Sequence, residues 1–158
     1  MFLCGLDIVE NLTSFELKDS ALHIFVTHAK AERVELQFGT PVLASMFQGK
    51  KVMHLRGKDA FDFLPGESLI LPANEIMCID FPEARMDNPT QCLAMEIGEE
   101  RILRVIEVMN EKMSRADDNE WGLMDYNFHF TNDPGIYQIL QRLVYLYTEN
   151  HPSKDFFV

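Results

Sequence analysis

Cysteine is scarce in this 158-residue chain and poorly arranged for cross-linking. There are three, Cys4, Cys78 and Cys92, an odd count with no C-x-x-C pair. That pattern argues against a disulfide framework and a zinc knuckle. Cys78 and Cys92 lie inside apolar runs and read as small buried hydrophobes in a reducing compartment. Positive charge is also short: 14 Lys and Arg stand against 25 Asp and Glu, for a net charge of −11. Duplex binding relies on cations that neutralise phosphates, so these residues do not hold nucleic acid by themselves. No apolar run approaches the roughly 20 residues of a membrane span. Near the start, Asp7 and Glu10 interrupt the apolar residues and no basic stretch precedes them, a poor signal peptide. The cytoplasm is therefore the expected compartment. G-x-S-x-G, P-loop and G-x-G-x-x-G patterns are missing, as are internal repeats and low-complexity stretches.

What is present fits one globular domain. At 47% hydrophobic and 25% charged, the chain can bury a full core without staples. Val34, Leu36 and Phe38 alternate with Arg33, Glu35 and Gln37, the period of a strand with one buried face. Further short runs follow at 41–47, 51–55, 61–63, 68–71, 76–81 and 91–97. Gly39, Gly49, Gly57, Pro65-Gly66 and Pro72-Ala73-Asn74 punctuate them. Many short strands at near-regular spacing predict an antiparallel sandwich or barrel.

The period then becomes helical. Ile102, Val105, Ile106, Met109 and Met113 make one apolar stripe, with Glu99 and Glu100 in the first turn, where carboxylates suit the helix dipole. A second helix is expected from Asn132-Asp133-Pro134, an Asx cap followed by proline. Its stripe is Ile136, Ile139, Leu140, Leu143, Val144 and Tyr147. Ser153-Lys154-Asp155 resembles the cap of a third helix, so the natural protein is expected to continue beyond Val158.

Three blocks carry a resemblance: Gln48-Gly49-Lys50-Lys51, then the run from Phe63 through Pro65-Gly66-Glu67 to Pro72, then the run from Pro89 to Ile97. In order and spacing they resemble the N-terminal domain of AraC-type bacterial regulators. The resemblance implies a mainly β fold, a cupin-like double-stranded β-helix (a jelly-roll barrel) followed by two α-helices. On that reading residues 1–19 form an N-terminal segment, 20–98 the barrel, and 99–158 a helical dimerisation region that starts the linker to a DNA-binding domain. The implied partners are a small-molecule effector and a second copy, with DNA reached only through a C-terminal helix-turn-helix domain outside these residues. No membrane partner, metal or cofactor is expected.

The competing reading is a metal-dependent cupin enzyme, an isomerase or dioxygenase. Catalytic cupins hold their metal with an H-x-H-x(3,4)-E block and a later His about five residues beyond the second-motif proline. Here no H-x-H occurs, and the position five after Pro72 is Met77, a poor ligand for hard divalent ions. The chain is therefore expected not to be an enzyme, with no catalytic residue. Candidate effector contacts are Gln48 at a strand end, Met46, Met77, His54 and Glu96. Each has a plainer structural role: Gln48 as a turn residue, the methionines as core, His54 as an exposed side chain. Glu96 needs a partner if buried. Which strand face lines the lumen is left open. The second helix is apolar nearly all round and must bury two faces, one on the barrel and one elsewhere; Leu140, Val144 and Tyr147 are candidate dimer contacts, with burial beneath the linker or the N-terminal segment as the alternative.

Overall fold

The computed structural model describes residues 2–4, 10–113, 115–117, 119–122 and 129–149. Its strands are β1 (Phe2–Cys4), β2 (Glu10–Leu17), β3 (Ser20–Thr27), β4 (Ala31–Gln37), β5 (Val42–Gln48) and β6 (Lys51–His54). β7 (Phe61–Phe63), β8 (Ser68–Leu71), β9 (Ile76–Phe81) and β10 (Thr90–Ile97) follow. After them come α1 (Glu99–Lys112), β11 (His129–Thr131) and α2 (Pro134–Thr148). All strand pairs are antiparallel and form two sheets, in the orders β1-β4-β9-β6-β7 and β11-β8-β5-β10-β3-β2. The second sheet takes in β2, which pairs with β3 along its whole length, so barrel strand begins ahead of residue 20. The third helix expected near Ser153 lies outside the described residues.

Alternation decides which side chains enter the lumen. Val34 and Leu36 on β4, Val42, Ala44 and Met46 on β5, and Met53 on β6 share one buried cluster. Leu69 and Leu71 on β8, Met77, Ile79 and Phe81 on β9, and Cys92 and Ala94 on β10 complete it with Phe25, Phe38 and Phe63. The neighbouring positions on β10, Leu93 and Met95, point the other way and join a second cluster under α2.

The β5–β6 turn shows how a local rule fixes a strand pair. Gly49 has φ +78°, a region costly for residues with a Cβ, and a Cβ there would sit 2.7 Å from Thr90 Oγ1 and 2.9 Å from Thr90 Cα. Gly49→Ala is expected to destabilise by about 1–3 kcal/mol, combining backbone strain with overpacking. A urea midpoint unchanged from wild type would contradict that close approach.

Asp133 caps α2, its carboxylate accepting from the Gly135 and Ile136 amides at 2.7 and 3.2 Å. The helix lays Leu140, Leu143, Val144 and Tyr147 on the outer face of the β10-containing sheet, against Leu22, Leu93 and Met95. Phe47 meets Tyr137 edge-on, with ring centroids 5.7 Å apart. At the far end the Tyr147 hydroxyl donates to Ser20 Oγ at 2.6 Å. Burial pushes this phenol above its ordinary pKa, against the opposing effects of the Ser20 hydrogen bond and nearby Arg101. α1 differs: none of its residues is buried, and Leu103, Val105 and Val108 are about half exposed.

Candidate functional site

At one end of β10, Glu96 organises a polar network across three strands. His23 on β3 shares the inward side with Phe25 and is 5% exposed. Its Nε2 lies 2.8 Å from Glu96 Oε1, and its Nδ1 lies 2.8 Å from Ser14 Oγ on β2. The Thr40 hydroxyl donates to Glu96 Oε2 at 2.7 Å. A neutral imidazole serves both neighbours by donating from Nε2 and accepting at Nδ1. The Phe38 ring lies 5.8 Å from the imidazole centroid. The carboxylate is thus held on both oxygens while keeping part of its surface open, its side chain 18% exposed.

That open surface lines a hollow of about 410 Å³. Ser20, Ala21 and Thr40 line it with Glu96, and Gly98, Glu99 and Glu100 form its helical wall. The Gly98 amide donates to the Asp19 carbonyl at 2.9 Å, tying the start of α1 to the β2–β3 turn. The hollow thus borders both the barrel and the first turn of α1.

The other candidate side chains fall elsewhere. Met46 and Met77 are core, at 0% and 3% exposure. Gln48, at the far end of β5, donates to Asn88 Oδ1 at 3.1 Å. His54 faces away from the lumen, because its neighbours Met53 and Leu55 point in. Its Nε2 meets Asp80 Oδ2 at 2.7 Å. Asp80 also accepts the Arg33 amide at 2.7 Å, at a bulge where Arg33 adopts φ 56°. Glu96 is thus not brought together with Met46, Met77, Gln48 or His54. Leu140 and Tyr147 are 2% and 1% exposed within one chain, so their burial requires no second copy. Val144 packs half-buried beside them.

Thr40 and Ser14 went unread in the sequence, and His23, five residues from His28, showed no metal-ligand spacing. For His23 a signal existed, since alternation with Phe25 places it inward once Phe25 is assigned to the core. The contacts from Thr40 and Ser14 depend on strand order, which no local pattern encodes.

Asp80 also makes a pH prediction. The Arg33 amide first, then His54, hold its carboxyl below the usual carboxylate range, against the effect of burial. A lowered folded pKa contributes stability that is present above the unfolded value of about 3.9 and is lost as pH falls through the folded value. The stability gap between wild type and Asp80→Asn should therefore narrow as pH drops below about 4. Urea midpoints at neutral and acid pH check it, and a constant gap would contradict it.

Among the described residues, no group of three or more His, Cys, Asp and Glu is placed to hold a metal ion. No helix among them is long and apolar enough to cross a membrane. Two sheets rolled round a filled lumen, with helices after the last long strand, define a cupin-like barrel module. The model of the AraC-type transcriptional regulator N-terminus matches residues 20–157, and the chain belongs to that family. Among solved structures it is similar to AerE from Microcystis aeruginosa, with 12% identity over 61% of this chain and 44% of that one, TM-score 0.51. Vicilin from hazelnut, Corylus avellana, is similar at 8% identity over 58% of this chain and 28% of that one, TM-score 0.51. A cupin superfamily protein from Desulfitobacterium hafniense aligns at 16% identity over 56% of this chain and 79% of that one, TM-score 0.45. The chain spans less than half the length of AerE and of vicilin, and at these identities the likeness is one of fold. No curated protein sequence matches it.

Proposed function

We propose that this chain is the sensor and dimerisation module of an AraC-type regulator, and that a small polar effector binds at the Glu96 end of the barrel. The observation that carries the reading is the partly exposed Glu96 carboxylate, held by His23 and Thr40 in a hollow walled by the first turn of α1. An effector hydroxyl or amine can bond this acceptor without displacing either internal partner, and its contact with Gly98–Glu100 biases where α1 sits. The effect would pass through the helices to a DNA-binding domain beyond these residues. Family membership supports a regulator over an enzyme.

Pairing of two copies falls to α1. Its half-exposed Val105 and Val108, with Met109 and Leu17, line a groove of about 410 Å³ rimmed by Arg101 and Arg104. A second copy's helix would cover this apolar surface.

Thermal-shift measurements on wild type and Glu96→Gln, with sugars, aromatic acids and fatty acids, test the effector site. A binder at one hundred times its Kd stabilises by about 2.7 kcal/mol. One class is expected to raise the melting temperature of wild type and to do so less in the variant. No shift from any class, or an equal shift in both proteins, would overturn the Glu96 site.

A further inference from the structure

At the opposite end of β10 the lumen holds two nucleophiles in contact. Lys51 opens β6 with its side chain turned inward, as the alternation with Met53 and Leu55 requires. Its Nζ donates to Cys92 Sγ at 2.7 Å and lies 4.9 and 5.8 Å from the ring centroids of Phe81 and Phe25. Lys51 is 3% exposed and Cys92 5%. β6 and β10 belong to different sheets, so this contact bridges the barrel from wall to wall. On the same side of β10, two residues before Cys92, Thr90 is 1% exposed and its hydroxyl has no hydrogen-bond partner among the described residues. An unsatisfied buried hydroxyl is costly, and a small molecule that hydrogen-bonds to it relieves that cost. An ammonium beside a sulfur favours the thiolate, the form that attacks electrophiles.

We infer that Cys92 and Lys51 form an oxidant-operated crosslink, in which a hydroperoxide oxidises the sulfur and the lysine amine captures it as a sulfur–nitrogen bond between the two sheets. In the first step the thiolate attacks one peroxide oxygen. An S–O bond forms, the O–O bond breaks, sulfur is oxidised to the sulfenic acid, and the other oxygen leaves as hydroxide. That hydroxide takes a proton from the Lys51 ammonium and becomes water. In the second step Nζ attacks the sulfur. The S–N bond forms, the S–O bond breaks, and the hydroxyl departs with an amine proton as a second water. Thiolate, ammonium and hydrogen peroxide thus give a sulfenamide and two waters. A dithiol reverses the bond, returning thiol and amine and leaving as its own disulfide.

The bond closes a loop between residues 41 apart, which restricts the unfolded chain and raises stability. This site is independent of the Glu96 site, four residues beyond Cys92 on the same strand, and either can fail alone.

The test treats the purified chain with hydrogen peroxide and maps the products by peptide mass. The expected product is lighter by two hydrogens, joins the peptides that carry Lys51 and Cys92, melts at a higher temperature than the reduced chain, and reverts with dithiothreitol. Half-exposed Cys78 should still be reduced at that dose. Lys51→Arg keeps the charge but should stop at oxygenated Cys92, heavier by one or more oxygens. Oxidation of Cys78 ahead of Cys92 would overturn the inference. So would Cys92 reaching the same oxygenated products in wild type and Lys51→Arg, with no joined peptide.

Discussion

Tyr147→Ala is expected to cost about 3–5 kcal/mol, the usual loss for truncating a fully buried aromatic side chain. Tyr147 sits at 1% exposure between α2 and the outer face of the barrel, with its hydroxyl on Ser20. Truncation removes the ring's contacts with the cluster of Leu22, Leu93, Met95 and Leu140, and orphans the Ser20 hydroxyl. Tyr147→Phe keeps the ring and isolates the hydrogen bond, which contributes about 1 kcal/mol. Because the packing lies inside one chain, the loss should be the same in a background that cannot dimerise, such as Val108→Asp. Chemical denaturation of wild type, Tyr147→Ala, Tyr147→Phe, Val108→Asp and the Tyr147→Ala/Val108→Asp double variant measures it. A cost present only in the dimer would move Tyr147 from the barrel face to an interface between copies.

The second large effect is at Glu96. Glu96→Ala leaves the Nε2 of a 5%-exposed imidazole and the Thr40 hydroxyl without their acceptor. Stranding a buried donor costs about 1–3 kcal/mol, more than an average surface substitution. Glu96→Gln retains one carbonyl oxygen as acceptor and should lose less. The ranking Ala below Gln below wild type in urea midpoint is the expected result. An alanine variant within about 0.5 kcal/mol of wild type, the range of ordinary surface changes, would mean that the network does not hold this end of the barrel together.

Much of the architecture was legible because strand alternation and turn residues are local signals. Val34 to Phe38, the Pro65-Gly66 turn and the Asp133-Pro134 cap each encode their own element, and the structure uses them as read. The short strand His129–Thr131 was not legible. Aromatic and polar residues alternate there in sequence, but so short a run becomes a strand only by pairing with Ser68–Ile70 some sixty residues earlier. The same limit governed the site. Glu96 was a candidate on its own chemistry, whereas its partners His23 and Thr40 reach it across the sheet from 73 and 56 residues away. His54 was a candidate too, with an exposed side chain as its plainer role. Its residue type suggested function, but the inward-pointing Met53 and Leu55 beside it already required an outward imidazole. Lys51 is the same rule unread: an inward lysine follows from the positions of Met53 and Leu55 alone.

The helices divide their work by burial. α2 spends Leu140, Val144 and Tyr147 on its own barrel, while α1 has no buried residue and an apolar edge at Val105 and Val108. Pairing through α1 is most directly tested by light scattering on the purified chain at micromolar concentration, alongside Val108→Asp. Two copies for wild type and one for the variant, with matching circular dichroism, is the expected result. A monomeric wild type, or a dimer indifferent to a charge at position 108, would contradict it.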